Sequence, residues 1–400
     1  MSQFSSVFSQ ILKLFPRREF AELVKKHAGE RQAKGFTCWT QFVAMTFCQL
    51  GRAQSLREIT DGLRSCEGKL RHLGIKEAPA RSTLAYANEH RPWEIYRDVF
   101  GALLGRCRPL APGHGFRFKN KLYSLDATTI TLCASMFDWA RYKRKKGAVK
   151  VHLVLDHEGY LPSFAVIREA KVFDIEVARS LEFARDSIVV FDRAYNDFRF
   201  FYDLTRRGVL FVTRMKEATR FTVLEERPVP SRSNVVRDQT IAFVKEFEGV
   251  DPEPMRLVAI RDDKDRELCF LTNIFHLSAR TIGQIYRSRW EIEKFFRAIK
   301  QNLRIKTFVG TSENALHIQI WTALIALLIL RYLTFLSTYG WSLSNFVAML
   351  RHQLFVHRDL HAWLNEPFKP PEPDAQVPLP NLDSRLPNPN PFQPTPISTT

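Results

Sequence analysis

The sequence predicts an α/β fold in the centre of a chain that is helical at both ends, and three observations carry this prediction. Apolar residues recur at helical spacing over residues 1–105 and again from about 278 to 362. From about residue 118 the pattern shortens to strand-length runs separated by turn residues. The run Ile188–Phe191 has four consecutive apolar residues, as expected for a central strand covered on both faces.

Residues 1–105 are predicted to form an all-helical domain that binds DNA. Ser55 with Glu58 makes a capping box ahead of one helix, and Ser82 is placed to cap another. Short helices joined by tight turns are typical of helix-turn-helix DNA readers, and equally of a helical bundle with a solvated basic face. Both interpretations stay open from the sequence. The cations of this region are Arg52, Arg57, Arg64, Lys69, Arg71 and Arg81.

Residues 118–310 are predicted to form the α/β core. The predicted elements are strands at 121–131, 149–156 and 160–168, a helix at 174–185, a strand at 188–191, a helix at 196–206 and a strand at 209–213. An antiparallel meander that feeds a parallel strand is the arrangement of a ribonuclease-H-like core. Residues 219–275 break this rhythm with alternating apolar and charged residues and with prolines, which predicts a β-rich insertion.

The C-terminal part is predicted to divide into helices at 311–365 and a tail at 366–400. The apolar segment 318–336 is interrupted by Arg331, so its uninterrupted part is shorter than the ~20 residues of a membrane span. We therefore expect a buried core helix and no membrane partner. Eleven of the 21 prolines lie between Pro367 and Thr400, which predicts a disordered tail.

The composition indicates a polyanionic partner. The 59 Lys and Arg residues outnumber the 42 Asp and Glu residues, which gives a formal charge of +17. Clustered cations favour nucleic acid over the alternative of a basic protein without such a partner. The six cysteines form no CxxC pair, which argues against a zinc site and a disulfide framework. The first residues lack the pattern of a signal peptide, so we expect a cytoplasmic protein.

One predicted helix places a glutamate among cations. At about 100° per residue, one face of this helix holds four polar residues within an arc of about 60°. These residues are Tyr286, Arg289, Glu293 and Lys300. Glu291 points away from the arc. Taken alone, the pattern is explained as well by an amphipathic helix with ordinary ion pairs, such as Arg289 with Glu293.

The spacing of these four residues resembles a known signature. Tyr-x2-Arg-x3-Glu-x6-Lys is typical of bacterial DDE transposases of the insertion-sequence-four type, and every spacing is kept here. Two further segments look like the same family, namely Ser-Leu-Asp-Ala-Thr-Thr at 124–129 and Val-Phe-Asp-Arg-Ala-Tyr-Asn-Asp at 190–197. The chain is similar to this family over about residues 118–310.

The resemblance implies a three-carboxylate site in which Asp126, Asp192 and Glu293 hold two Mg²⁺ ions, with Mn²⁺ as a substitute. Mg²⁺ prefers carboxylate and phosphate oxygens, and two ions assist both sides of an in-line displacement at phosphorus. The tyrosine, arginine and lysine of the signature are then expected to contact phosphates. The implied partners are double-stranded DNA, as terminal inverted repeats and target, and a second copy of the chain in a homodimer near the bacterial nucleoid.

Each aspartate also has a structural explanation. Asp126 precedes Ala-Thr-Thr, which suits a cap or turn, and Asp192 is placed to pair with Arg193, a residue we otherwise assign to DNA binding. Asp156 is the rival carboxylate, although the Gly-containing turn that follows favours a turn role. His152 is explained equally well as a core residue and as a site residue.

A run of cations lies between the first two predicted strands. Such a run neutralises backbone phosphates without reading sequence, although a solvated charge run is the ordinary explanation. Its residues assigned to DNA binding are Arg141, Lys143, Arg144, Lys145 and Lys146. Some members of the family stack a flipped base on a tryptophan of the insertion, and none is present here. The candidates to replace it are Phe221, Phe243, Phe247 and Phe270.

The predicted function is metal-dependent cleavage of DNA, followed by transfer of the freed 3′-hydroxyl end. Two alternatives stay open. A ribonuclease-H-like nuclease would hydrolyse without joining, and it would not need the signature helix or the insertion. A non-catalytic DNA-binding protein descended from a transposase would not need all three carboxylates.

Overall fold

The computed structural model describes residues 4–31, 33, 35–133, 141–143, 146–169, 173–244, 253–303 and 309–370, and for 133, 141–143, 146, 147 and 302 the backbone alone. Its helices are α1 (Val7–Leu12), α2 (Arg17–Lys26), α3 (Cys38–Leu50), α4 (Leu56–Arg64), α5 (Arg81–His90), α6 (Glu94–Cys107), α7 (Asp174–Arg179), α8 (Phe198–Arg206), α9 (Ala279–Ser288), α10 (Trp290–Asn302), α11 (Glu313–Leu336), α12 (Leu343–Gln353) and α13 (Leu360–Asn365). Its strands are β1 (Leu122–Cys133), β2 (Arg141–Lys143), β3 (Lys146–Asp156), β4 (Leu161–Glu169), β5 (Ile188–Phe191), β6 (Leu210–Arg214), β7 (Phe221–Glu226), β8 (Val235–Phe243), β9 (Met255–Arg261) and β10 (Glu267–Thr272).

The ten described strands belong to one mixed sheet. Its order is β2-β3-β1-β5-β6-β10-β9-β8-β7, with β4 also paired to β3. The central strands β1, β5 and β6 run parallel, and β1, β3 and β4 form the predicted antiparallel meander. The β-rich insertion supplies β7–β10, which extend the same sheet. The prediction of a mixed α/β fold with a helical N-terminal region is confirmed.

Side-chain caps set where several helices begin. The Ser55 hydroxyl accepts from the Glu58 N–H at 3.1 Å, which is one half of the predicted capping box. The Glu58 carboxylate accepts instead from the N–H of Gln54, one residue before the cap, at 2.9 Å. The predicted cap at Ser82 is wrong. Helix α5 begins at Arg81 after Ala80, whose backbone is still extended, so Ser82 lies inside the first turn.

Helix α11 forms the centre of the helical core. It packs against α3, α5 and α6 and against β4, and residues 315–330 are all buried. Within the described part of the chain, α11 alone is long and apolar enough to cross a membrane, but 78% of its most apolar window lies inside the protein. The interpretation of this segment as a buried core helix is confirmed.

The helices from both ends of the chain share that core. The Val7 N–H donates to the Val356 carbonyl at 3.0 Å, and the Phe8 N–H donates to the Leu354 carbonyl at 2.8 Å. The same cluster of buried side chains includes α10 and one face of β1, β3 and β4. The domain boundaries drawn from the sequence stay a prediction.

A buried ion pair joins two strands of the insertion to the segment that leads into α9. Arg256 of β9 donates to both oxygens of Asp238 of β8, at 2.8 and 2.7 Å, and both side chains are at most 5% exposed. Arg256 also donates to the carbonyls of Ile274 and Leu277, in the segment that leads into α9. One guanidinium therefore holds two strands and the entry to the helix that follows.

We expect Asp238→Asn to lower the free energy of unfolding by about 3–5 kcal/mol, because it leaves the Arg256 guanidinium buried without its counter-charge. Denaturant unfolding measures this loss. The double variant Asp238→Leu/Arg256→Met should recover part of it, since no buried charge remains. A loss below about 1 kcal/mol in the single variant would contradict the anchoring role.

Candidate active site

Asp126 and Asp192 lie side by side in the centre of the sheet. The parallel pairing of β1 with β5 places Leu125 opposite Phe191. Asp126 follows Leu125 and Asp192 follows Phe191, so the two aspartates also lie at the same level. Side chains alternate between the two faces of a strand. Leu125 and Phe191 pack on the face covered by α8. Both aspartates therefore point to the other face, where α9 and α10 pack.

The loop after β5 is fixed by hydrogen bonds to β6. The Asp192 carboxylate accepts from the Ala194 N–H at 2.6 Å, in a tight turn. The Thr213 hydroxyl donates to the Asn196 side-chain oxygen at 3.0 Å, and the Asn196 amide donates to the Arg214 carbonyl at 2.9 Å. Asp192 is thus held at the carboxyl end of a parallel strand, where ligands of α/β sheets bind.

The predicted signature helix is broken at one residue. Helix α9 ends at Ser288 and α10 begins at Trp290. The Arg289 N–H donates to the Tyr286 carbonyl and the Ile292 N–H to the Arg289 carbonyl, both at 3.1 Å and both three residues back. The prediction of one uninterrupted helix is therefore wrong at Arg289, where the backbone tightens towards 3₁₀ geometry.

Arg289 joins two of the predicted carboxylates. Its guanidinium donates to Asp126 Oδ2 at 3.4 Å and to Glu293 Oε1 at 2.8 Å, and the residue is 8% exposed. The guanidinium carbon lies 5.7 Å from the centre of the Tyr286 ring. The glutamate of the signature consequently lies on the same face as the aspartates, beside Asp126.

Asp126 is affected electrostatically by the other two carboxylates. Burial raises the pKa of Asp126 to about 6, the Ala127 N–H and Arg289 lower it, and the charges of Asp192 and Glu293 raise it again. A partly buried acid with a perturbed pKa beside other charged groups is typical of functional sites.

The remaining signature residues face the same strands. Lys300 Nζ donates to the Thr128 hydroxyl and, at 3.4 Å, to the Thr129 carbonyl. Thr128 lies two residues after Asp126 and so on the same face of β1. Burial raises the pKa of Tyr286, whose charged neighbours include Arg289 and Asp192. The four residues of the signature therefore lie in a cluster around Asp126.

The predicted DNA contacts outside the signature are only partly described. Arg193 is exposed directly after Asp192. Within the described residues it forms no ion pair with Asp192, so the structural explanation of that aspartate is not supported. The basic run contributes β2 and the start of β3. The side chains of Arg141, Lys143 and Lys146, and all of Arg144 and Lys145, lie outside the description.

Two rival residues have structural roles. The Asp156 carboxylate accepts from the Glu158 N–H at 2.9 Å, so the predicted turn role is confirmed. His152 lies opposite Ala127 on the face of the sheet away from Asp126, and it is 1% exposed. Burial lowers its pKa to about 4, which keeps the ring neutral in the core.

The phenylalanines suggested for base stacking are packed instead. Phe221 and Phe243 pack on the α8 side of the sheet, and Phe270 is 3% exposed with its ring centre 4.8 Å from that of Tyr286. Phe247 lies outside the described residues. Trp290, which directly follows Arg289, is a large aromatic that is 52% exposed.

Sequence reasoning missed Arg214. The pairing of β5 with β6 aligns Phe191 with Thr213, so Arg214 lies one residue further, level with Asp192. Asp126, Asp192 and Arg214 therefore form a row across three parallel strands. The rule that singled out Asp192, the residue that closes a buried parallel strand, would have found Arg214 as well.

This geometry can be compared with known proteins. A family model described as the transposase DDE domain matches residues 117–329, more than half of the chain. The chain belongs to the DDE transposase family. It is accordingly an enzyme that binds DNA, cleaves its phosphodiester bonds and transfers strands, and members of this family use divalent metal ions. A second model, a domain of unknown function, matches residues 3–76 of the transposase.

Two curated relatives agree with that assignment. The transposase is 27% identical over 289 residues to a protein of Sinorhizobium fredii named as a transposase, covering 71% of this chain and 80% of the relative. It is 30% identical over 253 residues to an insertion-sequence transposase of Geobacillus stearothermophilus, covering 63% and 67%. A solved piggyBac transposase complex with hairpin DNA is 11% identical, covers 86% of this chain and 79% of that chain, and has a TM-score of 0.44.

The carboxylates of the transposase suit a divalent metal by their chemistry. Asp126, Asp192 and Glu293 offer the hard oxygen donors that Mg²⁺ prefers. Among the described residues, no three acidic, His or Cys side chains are close enough to share an ion in this conformation. The Arg289 guanidinium lies between Asp126 and Glu293 instead. The three carboxylates therefore fit a metal cation that binds where the Arg289 guanidinium now lies.

We expect Arg289→Met to change how Mg²⁺ affects stability. Without metal, the loss of two charge-assisted hydrogen bonds should lower the free energy of unfolding by about 1–2 kcal/mol. Added Mg²⁺ should then raise the Tm of this variant more than that of the wild type, because no guanidinium competes for the carboxylates.

Thermal unfolding with and without Mg²⁺ measures both effects. Arg287→Met is the matched control, since Arg287 is an exposed arginine two residues earlier. Equal Mg²⁺-induced shifts in wild type and Arg289→Met would show that arginine and metal do not share the site.

Proposed function

We propose that this transposase cuts and joins DNA with Asp126, Asp192 and Glu293, which hold two Mg²⁺ ions, or Mn²⁺ in their place. The convergence of these carboxylates on one sheet face carries the proposal. They come from two neighbouring strands and from a helix that follows them in sequence by more than a hundred residues. Bound Mg²⁺ would activate a nucleophilic oxygen and stabilise the leaving oxygen.

The surrounding side chains position the DNA. Lys300 presents an ammonium along β1 beside Asp126, and Arg289 has a fork geometry that matches phosphate oxygens. With metal held by Asp126 and Glu293, the Arg289 guanidinium, which now contacts both, would be free to hold a phosphate. Trp290 offers an exposed ring for stacking on a base, which the packed phenylalanines of the insertion do not.

The finer assignment is to the insertion-sequence-four type, with a ribonuclease-H-like core over residues 118–310. The kept signature spacing supports the first part, and the meander followed by parallel strands supports the second. We assign the helices of residues 1–105 to DNA reading. The cations of the basic run and Arg193 are assigned to phosphate contacts, and a homodimer to the pairing of two inverted repeats. Its work on chromosomal DNA places the enzyme in the bacterial cytoplasm.

A hydrolytic nuclease is the second candidate. Its chemistry would need the carboxylates but neither Lys300 nor the arginines of the signature helix. Here the helix lays Arg289 and Lys300 on either side of Glu293. Cations on both sides of the catalytic acid suit an enzyme that retains the cut end for a second reaction.

We expect Glu293→Gln to bind DNA as the wild type does and to lose at least about 100-fold in cleavage rate, since a ligand carboxylate is removed. The assay follows nicking of a labelled duplex that carries the element's end, in Mg²⁺. Glu291→Gln is the matched control on the same helix, because its carboxylate pairs with Lys294 at 2.6 Å rather than facing the aspartates. Unchanged cleavage by Glu293→Gln would remove that residue from the site.

A strand-transfer assay separates the two candidate activities. The wild type should join the freed 3′-hydroxyl end to a target duplex in Mg²⁺. Cleavage without any joined product would favour the nuclease, whereas binding without cleavage in Mg²⁺ or Mn²⁺ would favour a non-catalytic DNA-binding protein.

A further inference from the structure

A second basic surface begins at the edge of the carboxylate site. A groove of about 750 Å³ lies between α9 and the turns that connect β7 to β8 and β9 to β10. Five of its cations are used below, and we call it the arginine groove. They are Arg214, Arg232, Lys264, Arg280 and Arg287.

The charge of this groove is not balanced by the protein. Eight of its lining residues are Arg or Lys and two are Asp. Of the two acids, Asp262 is already bound by the Arg266 guanidinium through contacts of 2.9 and 2.6 Å. Within the described residues, none of the five named cations has a carboxylate partner. Such a surface attracts an external polyanion.

The arginine groove is continuous with the site. Tyr286 and Arg289 line the groove and also face Asp192 and Asp126. Arg214 closes the row of residues that begins with the two aspartates. Arg280 and Arg287 stand seven residues apart, hence on one face of α9, and both are exposed. A DNA strand that extends from the carboxylates into the groove would therefore have cations beside its phosphates.

The size of the groove selects the form of the DNA. Cavities of several hundred Å³ accommodate ligands of small-molecule size. A few nucleotides of a single strand fit that class, whereas a duplex does not. Single-stranded segments are held by grooves that track the backbone with cations, independently of sequence.

We infer that the arginine groove holds a few nucleotides of single-stranded DNA, as the continuation of the strand whose phosphodiester lies at the carboxylates. This inference rests on the proposed function, because it takes DNA as the substrate. It adds a binding site that separates the strands next to the cut, and it assigns Arg214, Arg280 and Arg287 to that site.

The test compares two fluorescein-labelled probes, a blunt duplex and the same duplex with an overhang of a few thymidines, of either polarity. Binding is measured by anisotropy in EDTA, so that cleavage does not interfere. For the wild type we expect the overhang to tighten binding about ten-fold. In Arg280→Gln/Arg287→Gln this gain should disappear while affinity for the blunt duplex is kept.

Salt dependence gives a second readout. Each phosphate contact on a single strand contributes about 0.7 to the slope of log K against log [salt]. For the overhang probe, the slope of the double variant should therefore be smaller by about 1.4. The slope for the blunt duplex should not change.

Arg199→Gln/Arg206→Gln is the matched control. Both residues are exposed on α8, seven residues apart, on the opposite face of the sheet. The control removes the same charge at the same spacing and should leave both the overhang gain and the salt slope intact. An equal loss in both double variants would mean that net charge, and not the groove, is responsible.

The outcomes separate this inference from the proposed function. If the wild type binds the blunt duplex but gains nothing from either overhang, the groove inference is overturned and the proposed function stands. If Arg280→Gln/Arg287→Gln weakens the blunt duplex as much as the overhang probe, the groove contacts duplex DNA and the inference is again wrong. If the wild type binds neither probe, both proposals fail together.

Discussion

The parallel alignment of β1, β5 and β6 is the constraint on which the site depends. Because residues at the carboxyl ends of aligned parallel strands lie at the same level, the pairing brings Asp126, Asp192 and Arg214 into one row. Strand β5 has only four residues, all buried. Because the strand is so short, its register is fixed by the neighbouring strands and by the loop that follows. In that loop, Asn196 accepts a hydrogen bond from the Thr213 hydroxyl of β6.

The face to which this row points is shaped by α9 and α10. Arg289 lies at the break between them and supplies the guanidinium that Asp126 and Glu293 share. Two carboxylates this close, one of them with a pKa raised by burial, need a cation nearby. The same arginine thus stabilises the arrangement and occupies the place where the proposed chemistry needs positive charge. At Arg289, the interaction that holds the structure and the one proposed for function are both electrostatic, and neither is a packing contact.

Both ends of the helix pair are held by other parts of the chain. Arg256 anchors the segment before α9 to the Asp238 pair in the insertion. At the far end of α10, the Arg52 guanidinium donates to the Gln301 carbonyl at 3.1 Å, which connects the N-terminal helices to the helix of Glu293. The insertion and the helical core therefore support the helix that carries Glu293, the proposed catalytic residue, from opposite ends.

The sequence by itself determined the fold class, the meander, the β-rich insertion, the buried nature of α11 and the set of polar residues on the signature helix. These follow from local periodicity and from the spacing of a motif, which the chain carries without reference to its partners. Only the tertiary structure decided that the helix breaks at Arg289, that the insertion extends the main sheet, that Arg214 joins the row of aspartates and that the insertion's described phenylalanines are packed. Each of these depends on strand register or on contacts between residues far apart in the chain, and no local pattern specifies either.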